Sequence, residues 1–188
     1  MNSFASLITH RRSTRKYKDE LLFPEEVELI LKAALLAPSA RGACSWQFVV
    51  VEDKEMLRKL SQCKQRHAAF VGDCAMAVVV VGDTTVTDAW IDDAAIAAAF
   101  MQLQAEDIGI GSCWCHVRNR FTEAGTSAEQ YVRDLLDIPQ HYGVASIIAF
   151  GYKNVVHEPK DSSGVRWEHV HIGKFRQPDA PLHPPMEA

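Results

Sequence analysis

Three short apolar runs constrain this chain most: residues 48–52, 75–82 and 144–150, each dominated by Val, Ile, Phe or Ala. Each is strand-length, and none alternates apolar with polar residues as a half-solvated strand does. They read as strands buried on both faces, so they require helices on either side of one sheet. Helical patterns lie between them. Phe4, Leu7 and Ile8 share a helical face. Pro24 begins a helix whose apolar face carries Val27, Ile30, Leu31 and Ala34, and Pro38 ends it. Asp53 caps a short helix bearing Met56, Leu57 and Leu60. A long helix runs from Asp88 to about Ile108, stopped by Gly109 and Gly111. Its small residues at 94–99 predict close packing, including against its own copy. A further strand is expected at 113–117. A capping box of Ser127 and Gln130 opens a helix that reaches Leu136.

The 188 residues are one domain by length, at 47% hydrophobic and 23% charged. A net charge of -4 argues against nucleic acid as the main partner. The apolar run at 75–81 is too short for a bilayer, and the N-terminal residues lack a signal-peptide pattern. The expectation is a cytoplasmic protein with no nucleic-acid or membrane partner. Five cysteines without framework spacing read as free thiols. Cys113 and Cys115 leave a redox role open, and His169-Val170-His171 reads as surface rather than metal site. Residues from about 154 read as an arm, because they hold five of the eight prolines. Within it, the Pro-rich end at 176–188 is expected to be a flexible tail.

Against this acidic background stands His10-Arg11-Arg12-Ser13-Thr14-Arg15-Lys16-Tyr17, with five side chains that are or can become cationic. Forked, permanently charged guanidinium groups beside a hydroxyl suit a phosphate or carboxylate. A solvated basic turn would have the same composition. The first strand is not followed by Gly-x-Gly-x-x-Gly, so a dinucleotide fold of that type is unsupported.

Four segments in order resemble the nitroreductase family of FMN-dependent oxidoreductases. They are Arg11-Arg12-Ser13-Thr14-Arg15-Lys16-Tyr17; Ala37-Pro38-Ser39 with Trp46 and the following Phe48-Val49-Val50; Ile108-Gly109-Ile110-Gly111-Ser112-Cys113-Trp114; and Ala149-Phe150-Gly151-Tyr152. The resemblance spans about residues 8–175. It implies an α+β fold with a central mixed, mostly antiparallel sheet flanked by helices. It implies an intertwined homodimer with crossing C-terminal arms, formed from one FMN-binding domain at 1–175.

The resemblance further implies FMN as cofactor and NADH or NADPH as electron donor. Nitroaromatics, quinones or similar oxidised small molecules would be acceptors, in a ping-pong cycle with hydride passing through flavin N5. No side chain need act as nucleophile. By residue, it places Arg11, Arg12, Ser13 and Arg15 on the phosphate, ribityl chain or pyrimidine edge. Pro38, Ser39 and Ala40 approach the ring from the other subunit. Gly111 and Ser112 run beside the ring, the glycine permitting close approach. Lys153 and Arg166 occupy positions of late basic residues over the phosphate, Arg166 being the better match. Cys115 and His116 are substrate-side candidates that read equally well as plain strand residues.

The chain departs from the family where Gly42, Cys44 and Ser45 replace the usual Asn, Gln and Pro. Cys44 is thereby a third substrate-side candidate. The same departure keeps open an alternative, a flavin-binding carrier or sensor without efficient turnover.

Overall fold

The computed structural model describes residues 3–175. The expected Pro-rich tail at 176–188 lies outside the described residues. Helix α1 (Phe4–His10) and helix α2 (Pro24–Leu35) precede strand β1 (Trp46–Val51), helix α3 (Lys54–Leu60) and strand β2 (Met76–Asp83). The long helix α4 (Trp90–Asp107), strand β3 (Ile110–His116), helix α5 (Ala128–Leu135) and strand β4 (Tyr142–Tyr152) follow. The sheet order is β1-β2-β4-β3, and every strand pair is antiparallel. The expected parallel component is reduced to an isolated bridge between Ser13 and Ser112.

The uninterrupted apolar strands have the expected cause, helices on both faces of the sheet. Ala77, Val79, Ile147 and Cys115 face one core with Leu57 and Leu60 of α3 and Val132 of α5. Met76, Val78, Val80, Ile148 and Phe150 face the other with Ile30 of α2 and Ala94, Ala97 and Met101 of α4. A register shift between Val80 and Val81 marks a bulge opposite β4.

Two helix starts follow sequence chemistry. Pro24 opens α2, and Glu26 accepts both the Phe23 amide at 2.8 Å and the Tyr152 hydroxyl at 2.7 Å. Asp53 caps α3 by accepting from the Met56 amide at 2.8 Å.

Other expectations need correction. Residues 48–52 form an edge strand that begins at Trp46 and exposes Gln47 and Val50. Helix α4 starts at Trp90, after a turn in which Asp88 takes no cap role. Ser127 makes no side-chain cap. Gln130 instead donates to Asp134 at 2.6 Å and accepts from Arg133 at 3.0 Å, so the capping box is not formed. On α4, Ala94, Ala97 and Ala98 pack inward, whereas Ile96 and Phe100 are exposed. Among the described residues, no helix is long and apolar enough to cross a membrane.

Candidate functional site

The basic segment leaves α1 at Arg11 and lies along the free edge of β3. The Thr14 amide donates to the Ser112 carbonyl at 2.9 Å, the Lys18 amide to Tyr152 at 3.0 Å and the Asn154 amide to Lys16 at 3.1 Å. Tyr17 is buried beneath this segment and donates its hydroxyl to the Thr14 carbonyl at 2.6 Å. Burial pushes that phenol far above its ordinary range, with the Cys113 and Cys74 sulfurs adding to the effect. Tyr17 is thus a neutral anchor for a cationic strap. Gly111 is needed here for packing: a Cβ at that position would meet the Thr14 side chain at 2.7 Å. Ser112 is buried, and its hydroxyl accepts from Gln102 of α4 at 3.4 Å.

Arg11, Ser13 and Arg15 all bear electrostatically on Cys113 of β3. Burial raises the Cys113 thiol above its ordinary range, while Arg15, the Ser13 hydroxyl and Arg11 pull it down. No carboxylate among the described residues pairs with Arg11 or Arg15. Ser13, Thr14, Arg15, Lys16, Val155 and His157 enclose a cavity of about 220 Å³.

The remaining predicted cations are placed differently. Arg12 donates to the Glu158 carbonyl at 2.7 Å and so tethers the arm, assisted by the Lys160 amide on Thr9 at 2.9 Å. Lys153 forms a two-pronged contact with Glu106 of α4 at 2.7 and 2.8 Å, largely shielded from solvent. That pairing gives the Lys153 charge a partner within the fold. Arg166 begins an exposed turn in the arm, ahead of Trp167–His169.

The second half of the predicted site, Pro38 to Cys44, lies elsewhere. The Ala40 amide donates to Asp93 of α4 at 2.8 Å, and the Cys44 amide to the Ser39 hydroxyl at 3.0 Å. Ser39 also donates to the Cys44 sulfur at 3.6 Å. Arg41 and Cys44 adopt φ of 54° and 47°, a region costly for residues with a Cβ. Asp93 is buried with its second carboxylate oxygen unpartnered. This loop adjoins the end of the sheet where Trp46 pairs with Gly82. The basic strap adjoins the opposite end, where Ser112 pairs with Phe150 and Phe150 with Met76. Six residues of strand separate those ends, roughly 20 Å at 3.3 Å per residue. One chain therefore does not bring the two halves together.

The substrate-side candidates also divide. Cys44 is exposed. Cys115 is fully buried in the core on the α3 side. His116, the next residue, is exposed at the end of β3, and its carbonyl accepts from Lys64 at 3.1 Å. Desolvation holds its imidazole below the ordinary range, with Arg120, Lys64 and Arg118 adding repulsion. The sequence reading missed Lys64, which belongs to no motif. It also missed a cleft of about 800 Å³ beside it, lined by Gln62, Lys64, Arg66, His67, Thr122 and Tyr131 among others. Among the described residues, no group of three His, Cys, Asp or Glu is arranged to hold a metal.

A strap of uncompensated arginines beside a hydroxyl, on the edge of a doubly covered antiparallel sheet, fits the resemblance read from sequence. Comparison with known proteins agrees. The family model described as Nitroreductase family matches residues 8–69 and 62–152. A protein of Archaeoglobus fulgidus, provisionally named NADH dehydrogenase/NAD(P)H nitroreductase, is 36% identical over 165 residues, covering 86% of this chain and 88% of its own. A solved structure described as an FMN-dependent nitroreductase from Clostridium difficile is 42% identical with a TM-score of 0.89. That match covers 92% of this chain and 100% of the other. A Bacillus subtilis protein named FMN reductase (NADPH) is 25% identical over 162 residues, covering 75% of this chain and 62% of its own. With the motifs, the sheet and these matches in agreement, the chain belongs to the nitroreductase family.

Proposed function

We propose that this chain is an FMN-dependent NAD(P)H oxidoreductase that reduces nitroaromatic, quinone or similar oxidised small molecules. The observation that carries this reading is the Arg11, Ser13 and Arg15 strap, cationic without carboxylate partners and docked on β3. FMN is its cofactor and NADH or NADPH its electron donor. The residues fit that cofactor in part. The cavity at the strap suits a phosphate and the adjoining chain. At about 220 Å³ it is smaller than the 300–1,000 Å³ typical of whole ligand sites. The rest of the site is supplied by a second copy, whose loop at 38–44 covers the ring.

When bound, FMN supplies the two-electron chemistry, accepting hydride from the nicotinamide and delivering it to the acceptor. The protein binds and orients. Arg11 and Ser13 hold the phosphate end through charge-assisted hydrogen bonds. Arg15 places positive charge where negative charge develops on reduction. Arg166 supports the phosphate from the arm, and Arg12 and Lys160 hold that arm against α1. Ser112 and Tyr17 fix the strap from below. Steady-state kinetics with FMN-loaded protein should give parallel double-reciprocal lines for NAD(P)H and a quinone. Intersecting lines would contradict the substituted-enzyme cycle. Absence of turnover with flavin bound would favour a carrier or sensor.

The unit proposed is one FMN-binding domain at 1–175 that forms a homodimer through its arm. Phe4 and Ile8 of α1, Leu29 and Leu35 of α2, and Ile96 and Phe100 of α4 are exposed apolar side chains. In the arm, Trp167 is 73% and Ile172 90% exposed. An obligate interface over these surfaces should bury more than about 2,000 Å². Phe100→Glu would bury an unpaired carboxylate, which costs roughly 3–5 kcal/mol. By light scattering at micromolar concentration, the native protein should be a dimer and the variant a monomer that has lost FMN. A native monomer that retains FMN would sink the shared site.

Cys44 is the proposed substrate-side position in the shared site. Cys44→Gln, which restores the common family residue, should change the ratio of kcat/KM values for quinone and nitroaromatic acceptors. A polar contact made mainly to the substrate is worth about 1–3 kcal/mol, or roughly 5–150-fold. FMN retention should be unchanged. Unaltered ratios, or simple loss of FMN, would remove Cys44 from substrate selection.

A further inference from the structure

The cleft of about 800 Å³ is formed by two loops that take no part in the strap. One wall belongs to residues 61–69, which follow α3. The other is Thr122 to Thr126 with Tyr131 of α5. The walls are tied to each other and to the sheet. The Gln65 amide donates to the Phe121 carbonyl at 3.0 Å, the Gln65 side chain to the Thr122 carbonyl at 3.5 Å, and Lys64 to the His116 carbonyl at 3.1 Å. The Tyr131 hydroxyl donates to the Lys59 carbonyl at 3.0 Å. The volume lies within the range of about 300–1,000 Å³ for whole-ligand sites.

Lys64, Arg66 and His67 all line this cleft, in a chain of net charge -4. No carboxylate among the described residues forms an ion pair with any of the three, although Glu123 stands on the opposite wall. Lys64 uses one donor on the His116 carbonyl, and an ammonium has three. Arg66 is exposed, and its forked guanidinium matches two oxygens of a phosphate. Arg118 and Arg120 add to the positive field at this end of β3, since with Lys64 they oppose protonation of His116.

We propose that Lys64, Arg66 and His67 form a phosphate-monoester site that takes the 2′-phosphate of NADPH and so selects NADPH over NADH as electron donor.

The proposal rests on the NAD(P)H oxidoreductase reading above. NADH lacks only that group, and a phosphate monoester carries about −1.5 to −2 charge at neutral pH. The cleft is separate from the place of the cofactor phosphate, because it shares no lining residue with the cavity at the strap. Ser112 at the strap and His116 at the cleft are four residues apart on β3, roughly 13 Å at 3.3 Å per residue. In NADPH the 2′-phosphate sits on the adenosine ribose, across a diphosphate from the nicotinamide. It therefore needs cations away from the reacting ring. Lys54 and Arg58 suit it less well. They line a cavity with Asp19 and Asp73, and Lys54 already pairs with Asp19 at 3.3 Å.

The test uses the full-length, FMN-loaded protein and two readouts. The first is calorimetric titration with adenosine 2′,5′-bisphosphate and with adenosine 5′-monophosphate. The bisphosphate should bind about 10–150-fold tighter, the range for a charge-assisted hydrogen bond. Arg66→Ala should remove most of that difference, and Arg66→Lys should keep part of it. Lys18→Ala, an exposed charge outside the cleft, should keep all of it. The second readout is anaerobic flavin reduction. Here kcat/KM for NADPH should exceed that for NADH by a similar factor. Arg66→Ala should raise the NADPH KM while leaving kcat and both NADH constants unchanged. Equal binding of the two nucleotides, equal use of NADPH and NADH, or a preference that survives Arg66→Ala would overturn the site. Inorganic phosphate binding as tightly as the bisphosphate would also overturn it, as an anion site without nucleotide selection. Flavin that neither nucleotide reduces, in a protein that still prefers the bisphosphate through Arg66, would sink the proposed activity and leave the phosphate site standing.

Discussion

Arg11→Ala should weaken FMN retention by about 10–150-fold, whereas Lys18→Ala should change it by less than about 5-fold. Arg11 directly follows α1 and has no carboxylate partner among the described residues, so its charge is available to a phosphate. Losing a charge-assisted hydrogen bond of this kind costs roughly 1.5–3 kcal/mol. Lys18 is half-exposed and already near Glu20 at 3.9 Å, and such surface charges contribute under about 1 kcal/mol. Fluorescence titration of FMN into flavin-free protein separates the two. Equal dissociation constants would remove Arg11 from the phosphate site. Arg12→Ala should fall between them, because its hydrogen bond to the Glu158 carbonyl holds the arm.

The largest stability effect should come from Gly143→Ala. The Trp90 indole lies across the bulged end of the sheet, over Gly82 and Gly143, with the Arg118 guanidinium 5.6 Å from its ring centroid. A Cβ on Gly143 would meet the indole at 2.3 Å, well inside any contact the indole can relieve by a small shift. Overpacking of this severity costs about 3 kcal/mol, which lowers the melting temperature of a chain this size by about 6–12 °C. Gly164→Ala, where an added Cβ meets nothing within 4 Å, should leave the melting temperature within about 2 °C. Differential scanning calorimetry checks both. A melting temperature unchanged in Gly143→Ala would mean that Trp90 is free to move.

That glycine cradle was not legible in the sequence. The strands were, because residues covered on both faces must be apolar without interruption, and that pattern survives in a single sequence. Pro24 and Asp53 declared their helix starts through local chemistry. The Ser127 and Gln130 pair offered the same kind of signal, but Asp134 and Arg133 one turn on claimed the Gln130 amide. Gly82, Gly143 and Trp90 acquire meaning only when the bulge and α4 are placed together. Likewise, Lys153 reads as a free cation until the fold sets Glu106 of α4 beside it. At the site, the strap was legible as a charge cluster against an acidic background. The packing of Gly111 on Thr14 was not legible, because Thr14 lies across a strand pairing, not along the chain. The separation of the strap from the 38–44 loop depends on the sheet register, which no local pattern encodes. That separation gives the proposed second copy its task at the site.

The most direct test of the account is anaerobic addition of NADH or NADPH to the FMN-loaded native protein, followed by absorbance. The account predicts that the oxidised-flavin bands bleach on a timescale of turnover. It also predicts that they return when a quinone is added with oxygen still excluded. Flavin that stays bound and oxidised in the presence of both donors would contradict it.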